Sequence, residues 1–429
     1  MGAARFQEAD RSQLSWDLID LDGFLPADHR ARVVWAFVEG LDLAAFYDRI
    51  KARENSAGRP PVDPKIHLSL WLYATAENVG SARAIARACK SDLAYRWLCG
   101  GVSTNHHSLS DFRRDQDDLL DDVLSRSVAA LIAEGLIDLE EVVQDGTKVR
   151  AAAGRGTMVG AEGLDRLEAA ARWRVHRLKE ELESDPGVSD RRGRAARERA
   201  AREMTDRAAK ARKTYETLQA EKAKAARKHR QAEEKKSARK VSRSDPEARM
   251  MKFADQAHAP GYNVQLAASG LFVVGLDVTQ RHNDTGLAAP MIAQLETRYD
   301  RVPKRLVVDG RIATQSEIVE LSQHPKGAIE VIAPVPAERE DLKPESRRRR
   351  ARRKAGEPEA IKAWRSRMQT AEAQAALGRR KLIETINAMV KNRGMGRMLV
   401  RGRRAVQKVV ILHALTNNMM QAHRARSPA

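Results

Sequence analysis

RLVVDGRIAT (305–314) and EVVQDGTK (141–148) share one shape: a short β-branched run, then an aspartate, then a glycine. Val and Ile favour the pleated strand, and a polar turn after such a run marks where a buried strand reaches the edge of its sheet. Both stretches therefore predict strands that end on a carboxylate, Asp145 and Asp309, and turn at once on Gly146 and Gly310. A third stretch, GRRKLIETINAMVKNRG (378–394), reads as one helix, because Leu382, Ile386, Met389 and Val390 recur at helical spacing and leave Glu384 to point elsewhere. Two strand-end aspartates beside a helical glutamate make an oxygen-only ligand set, which suits hard divalent cations rather than metals that prefer thiolate or imidazole. The expected cofactor is a pair of Mg²⁺ ions, with Mn²⁺ able to substitute. Two such ions clamp the attacking and leaving oxygens of an in-line phosphoryl displacement.

Between the aspartates, GYNVQLAA (261–268) and LFVVGLDVTQ (271–280) read as two strands joined by a two-residue hairpin loop, Ser269 and Gly270. A helix from Thr285 through Tyr299, the strand ending on Asp309, a helix over 314–322 and a strand in AIEVIAPV (328–335) follow. With the helix of Glu384 the order is β-β-β-α-β-α-β-α, that of ribonuclease-H-like domains, whose first acid sits on the central strand and whose second follows the fourth strand. The segment 161–240 interrupts this pattern. It is dominated by Ala, Arg, Lys and Glu, predicts a long helix or helical hairpin broken at Pro186 and Gly187, and carries an apolar stripe through Leu164, Leu167, Ala171, Val175 and Leu178. Trp173 beside that stripe is expected to pack. The basic run 347–354, between Pro344 and Pro358, reads as a loop.

Residues 14–139 are patterned as helices. Asp63 followed by Pro64 marks a helix start, and Leu68, Leu70, Trp71 and Leu72 form its packed middle. The pair 81–89 and 92–98 has helix-turn-helix size, a shape shared by plain helical packing and by DNA readers. Basic residues follow it, Arg113 and Arg114 with His106 and His107, after Ser108 as the expected cap. The Asp-rich run 111–122 reads as a solvated helix face.

Composition bounds the partner. The chain has 429 residues, 42% hydrophobic and only 4% aromatic, so its core must be aliphatic. Lys and Arg outnumber Asp and Glu 77 to 58, giving +19 and a pI near 10.1. An excess of that size points to a polyanion, and nucleic acid leads. Cys89 and Cys99 form no C-x-x-C, and no stretch has signal-peptide or membrane-span character, so a reduced cytoplasmic setting without a membrane is expected.

DGTK around Asp145, SDPEARMMKFADQAHAPGYNVQ (244–265), VTQRHNDTG (278–286), VVDGRIAT around Asp309 and KLIETINAMVKNRG around Glu384 together resemble the DDE transposases of bacterial insertion sequences. The resemblance reaches into the helical N-terminal part, including GRPPVDPKIHLSLWLYA (58–74). It implies that Asp145 bridges both ions, that Asp309 and Glu384 each hold one, and that Arg380 and Lys391 hold DNA phosphates. It also implies double-stranded DNA as partner, at element ends and target, with a homo-oligomer assembled on it. Arg380, four before Glu384, and Lys391, seven after it, match a Tyr-Arg-Glu-Lys signature of related transposases. Leu377 stands where that signature has Tyr, and Arg311 where the family has a small residue or Gly. Lys148, Asn263, Asn283 and Asp284 are secondary site candidates, because Asn and Asp after a strand also form turns. Asp277 reads as sheet-facing.

The expected protein is thus α+β: a helical DNA-binding domain over 1–139, a ribonuclease-H-like catalytic domain over 140–160 and 241–429, and a helical insert over 161–240. Its expected activity is metal-dependent cleavage of the ends of its own mobile element and their joining to target DNA. The alternatives are a catalytically degenerate relative that only grips DNA, a structure-directed nuclease of the same fold, and a coiled-coil interaction protein.

Overall fold

The computed structural model describes residues 20–50, 61–115, 118–184, 191–228, 239–336 and 356–427. The basic run 347–354 and the break at Pro186 and Gly187 lie outside them. The first part is built of helices α1 (Leu21–Phe24), α2 (Arg30–Glu39), α3 (Ala44–Asp48), α4 (Pro64–Ala76), α5 (Ala82–Ser91), α6 (Leu93–Cys99), α7 (His106–Asp115) and α8 (Leu119–Ala133). Asp63 caps α4 by accepting from the Lys65 N–H, with Pro64 in the first turn where its missing donor costs nothing. Every residue of α4 from Ile66 to Thr75 is buried, because α2, α6, α7 and the C-terminal helix surround it.

α5 and α6 form the expected short pair, with Asp92 capping α6 and Gly100 closing it in the left-handed region at φ +52°. The cap of α7 is Asn105, not Ser108. Asn105 Oδ1 accepts from the N–H groups of His107 and Ser108 (2.9 and 3.0 Å), whereas the Ser108 hydroxyl turns inward to His67 Nε2 (3.3 Å). The Asp-rich run is not wholly a solvated face either: Asp121 binds the buried guanidinium of Arg298 at 2.5 Å.

The sheet comprises β1 (Glu141–Arg150), β4 (Arg249–Lys252), β5 (His258–Ser269), β6 (Phe272–Thr279), β7 (Arg305–Val308) and β8 (Glu330–Ile332); β2 (Met158–Val159) and β3 (Val241–Ser242) form a separate ribbon. The order across the sheet is β4-β5-β1-β7-β8, with β6 also paired to β5. β1 is antiparallel to β5 and parallel to β7, and β7 is parallel to β8. This is the ribonuclease-H-like arrangement, with β4 added alongside β6 on the outer edge of β5. The hairpin loop is Gly270 and Leu271 rather than Ser269 and Gly270: Ser269 pairs with Phe272, and Gly270 supplies the positive φ of +57°.

Helices α9 (Ala161–Ser184) and α10 (Arg191–Lys228) form the insert and pack against each other above the β2–β3 ribbon. Leu164, Ala211 and Val241, with Val159, Leu167 and Tyr215, make a small core of their own there. Trp173 does not pack as expected; it is 65% exposed, its ring 5.6 Å from the Arg177 guanidinium.

The remaining helices are α11 (Ala288–Tyr299), α12 (Gln315–Ser322), α13 (Glu359–Arg367), α14 (Ala371–Gly378), α15 (Lys381–Val390) and α16 (Arg403–Arg426), with a π-helical turn at Lys391–Met395. α11 begins at Ala288, not Thr285. Its first N–H groups, of Ala288 and Ala289, donate to buried Glu317 (3.1 and 3.0 Å), which also closes a capping box with Thr314 on α12. The helix expected over 378–394 is α15 with the π-helical turn that continues it, and only Gly378 belongs to the preceding α14. Arg379 turns the chain between α14 and α15 and makes a bidentate pair with Glu141 of β1 (2.6 and 2.5 Å), a tertiary contact that helical spacing does not reveal.

α16 lies between the two halves of the molecule and touches α4, α8 and β6. The side-chain amide of Asn418 accepts from Val273 N–H (2.8 Å) and donates to Val273 C=O (2.7 Å), beside an irregularity in the β5–β6 ladder. One hydrophobic core runs from Leu25 to Ala422. The boundary expected at 139 falls between α8 and β1, where the packing does not break.

His67 gives this core a pH dependence. Burial pushes its pKa down to about 4, so the folded protein keeps it neutral while the unfolded chain protonates near 6.5. The stability it contributes is present above pH 6.5 and is lost as pH falls toward 4. At pH 5 the loss is roughly 2 kcal/mol. His67→Gln, which cannot protonate, is expected to flatten the fall in melting temperature between pH 6.5 and 4; an unchanged pH profile contradicts this account.

Candidate active site

Adjacent residues of β1 point to opposite faces of the sheet. On one face lies an amide patch. Gln144 Nε2 donates to Gln265 Oε1 (3.1 Å) and Leu287 O (2.9 Å), while Gln265 Nε2 and Asn263 Nδ2 both donate to Asp284 Oδ1 (2.6 and 2.7 Å). Gly146 admits that carboxylate, since a Cβ there would lie 2.1 Å from Asp284 Oδ1. The glycine after Asp145 is therefore a slot rather than a turn. β1 runs through it to Arg150, which corrects the expectation that Asp145 ends its strand. Asp309 does follow the end of β7, and Gly310 passes so close to Pro334 that a Cβ would meet its carbonyl at 2.8 Å.

Asp145 occupies the other face. The parallel ladder pairs Gln144 with Val308, so the next residues on the two strands are Asp145 and Asp309. Neighbouring strands lie about 4.8 Å apart, which brings the two acids side by side. α15 crosses β1 here, and its buried Asn387 donates from Nδ2 to Asp145 Oδ2 (3.2 Å). Burial pushes the Asp145 pKa up to about 6; the Gly146 N–H opposes the rise, the charge of Asp284 adds to it, Arg380 opposes it and Asp309 adds again.

Glu384 sits one turn before Asn387 on α15 and pairs with Arg380 (Nη2 to Oε1, 3.2 Å), its side chain 52% exposed. Among the described residues, no group of three or more His, Cys, Asp or Glu side chains is placed to hold a metal ion. The structure thus gathers Asp145, Asp309 and Asp284 within electrostatic reach and leaves Glu384 on Arg380. The chemistry at Asp145 still fits a hard divalent cation, because neighbouring acids oppose the ionisation of this buried carboxyl and a cation would relieve that repulsion.

Arg380 stands at the N-terminal end of α15 without a side-chain capping bond, its guanidinium on Glu384. Lys391 is exposed at the other end of α15, where the π-helical turn begins. Lys148 donates to the Lys252 carbonyl (3.0 Å). Arg113 lies over Trp71, 4.3 Å from the ring centroid, and Arg114 pairs with Asp111 (2.8 Å) and Asp115 (2.7 Å). Leu377 packs against the core, and Arg311 is exposed beside Asp309. Sequence reasoning missed Asn387, Gln144 and Gln265. Their signal was present: amides inside the apolar runs of two strands, and an Asn three residues after Glu384 on the same helical side.

The site is thus a two-carboxylate strand pair on a ribonuclease-H-like sheet, crossed by a helix that carries a third acid. Residues 19–115 match the family model described as Transposase domain (DUF772). The match supports the assignment of this chain as a transposase of an insertion sequence. No curated protein and no solved structure matches it. Among the described residues no helix is long and apolar enough to cross a membrane.

The raised pKa has a measurable sign. A carboxyl whose folded pKa lies above its unfolded value stabilises the protein below the unfolded pKa, and that contribution disappears as pH rises through about 6. At pH 7.5 ionised Asp145 therefore costs the metal-free protein on the order of 2–3 kcal/mol. Asp145→Asn is expected to raise the metal-free melting temperature at pH 7.5 by several degrees and to change little at pH 4. Equal melting of both proteins at pH 7.5 contradicts the electrostatic picture.

Proposed function

We propose that the chain cuts the ends of its own mobile element and joins the freed 3′-hydroxyls to target DNA, with Asp145, Asp309 and Glu384 as the acid set. The observation that carries this reading is the parallel β1–β7 register, which makes Asp145 and Asp309 neighbours beneath α15. Mg²⁺ ions, or Mn²⁺, bound at these oxygens would lower the pKa of an attacking water or 3′-hydroxyl and offset charge on the leaving oxygen. Asp145 and Asp309 would supply the strand-borne ligands, and Glu384 would join them on leaving Arg380. Asn387 orients Asp145 through its hydrogen bond. Arg380, once released by Glu384, and exposed Lys391 would hold phosphates on either side of the cut. DNA is the partner, and joining two ends implies more than one copy of the chain on it.

A second reading, a degenerate relative that binds DNA without cutting, is favoured by two observations: Glu384 is committed to an ion pair, and Leu377 offers no hydroxyl where related transposases have one. Cleavage of a duplex taken from either flank of the coding sequence separates the two. With Mg²⁺ or Mn²⁺ the full chain is expected to nick it. Asp145→Asn, Asp309→Asn or Glu384→Gln each should lower the rate by at least about 100-fold while binding persists, and Ca²⁺ should permit binding alone. Binding without nicking by the unaltered chain supports the degenerate reading, and nicking at an unaltered rate by all three variants overturns the acid assignment.

A further inference from the structure

A cleft of about 630 Å³ opens where α7, the middle of α10 and the start of α16 meet. Arg113, Arg114, Lys210, Arg401, Arg404 and Lys408 line it, and among the described lining residues Glu247 is the one acid. That acid is already engaged by Lys210 Nζ and by the Arg403 N–H, both at 3.0 Å. Arg113, Leu399 and Val400 also line a second pocket of about 230 Å³, so the two spaces adjoin. The inner pocket adds Arg393, Arg397 and His413, and among the described residues no carboxylate lines it.

The fold delivers these cations deliberately. After α15 the π-helical turn kinks at Gly394, whose φ of +93° and 2.3 Å approach of its would-be Cβ to Asn78 Oδ1 admit no side chain. The kink turns Arg393 and Arg397 toward α4. Among the described residues Arg113, Arg393, Arg397 and Arg401 make no ion pair, and Arg393 Nη1 has no hydrogen-bond partner. Burial and the charges of Arg424 and Arg30 hold the Arg393 pKa below the ordinary range. His413 is only 5% exposed, and its Nδ1 has no partner either. A half-buried Arg393 guanidinium and a buried His413 imidazole, each with an unpartnered nitrogen, are costly when the pocket is empty, and an oxyanion there would offset that cost.

Position selects which oxyanion. Arg150, five residues beyond Asp145 on β1, forms a backbone bridge with Arg397. At about 3.4 Å per residue the backbone of Arg397, which lines the inner pocket, lies roughly 17 Å along β1 from Asp145, about five base steps of a duplex. We propose that this cleft is a phosphate-holding site that grips the DNA backbone about five base steps from the cut, with one phosphate between Arg113, Arg393 and Arg397. Exposed Arg401, in the outer cleft, then reaches an adjacent phosphate. This inference rests on DNA being the substrate, not on the acids being catalytic.

The test is metal-free binding of the full chain, carrying Asp145→Asn to prevent cutting, to a fluorescent duplex across potassium chloride concentrations. Arg397→Gln with Arg401→Gln, at two exposed positions, is expected to weaken binding at least about tenfold near 0.1 M salt and to make the slope of log K against log[salt] shallower by about two. Arg426→Gln, on the far end of α16 and paired with Glu134, should leave both unchanged. A single methylphosphonate about five steps from the cut should weaken binding by the parent chain and not by the double variant. An unchanged slope, or an equal loss with Arg426→Gln, overturns the site. Thermal stabilisation of the parent chain by inorganic phosphate, with DNA binding untouched in the double variant, overturns the DNA assignment in favour of a small anion. Because no arm uses metal or cleavage, failure here leaves the reading of the acids standing.

Discussion

The parallel pairing of β1 with β7 is the constraint on which the rest depends. In a parallel ladder the residues that follow a matched pair advance together, so pairing Gln144 with Val308 commits Asp145 and Asp309 to neighbouring positions. A slip of one residue would send Asp145 to the amide face and Gln144 toward α15. The register is held from both sides. Eight antiparallel pairs tie β1 to β5, and the Arg379–Glu141 and Arg305–Glu141 contacts pin its start to α14 and β7. Gly146 then lets Asp284 close on the backbone from behind, which loads Asp145 with the like charge that a cation would offset.

The same sheet explains why the N-terminal helices are more than an appendage. α16, the last helix, covers β6 with one side and α4 with another, so the outer helices and the strand that leads into the site share apolar contacts. Asn417 and Asn418, fully buried, complete backbone hydrogen bonds of Leu271 and Val273. Removing α16 would strip both halves, and buried amide bonds of this kind leave orphaned backbone groups when lost.

Much of this was legible in the chain. β-branched runs marked β1, β5, β6, β7 and β8, their order with the intervening helices matched a ribonuclease-H-like sheet, and the two aspartates fell where that order places acids. The insert was legible too, because its Ala, Arg, Lys and Glu content admits little but helix; α9 begins at Ala161 as expected. What was hidden depends on partners distant in sequence. Gly146 looks like a turn until Asp284 is seen against it. The break between α14 and α15 is tied to Glu141, over 200 residues away. Asn105 rather than Ser108 caps α7 because the helix starts at His106, which puts Ser108 inside its first turn with its hydroxyl donating to the Asn105 carbonyl. Asp284 was a secondary site candidate that a turn role could equally explain, and only the sheet reveals it as the acid whose charge weighs most on Asp145.

The central claim is that Asp145, Asp309 and Glu384 converge on one cation site, and it can be measured without turnover. Fe²⁺ substituted for Mg²⁺ in the full chain, with ascorbate and peroxide, generates hydroxyl radicals that cut the backbone beside the bound ion. The account predicts three clusters of cuts, near 145, 309 and 384, all suppressed by excess Mg²⁺ and by Asp145→Asn. Cuts near 145 and 309 with none near 384, or cuts that Asp145→Asn leaves unchanged, would contradict it.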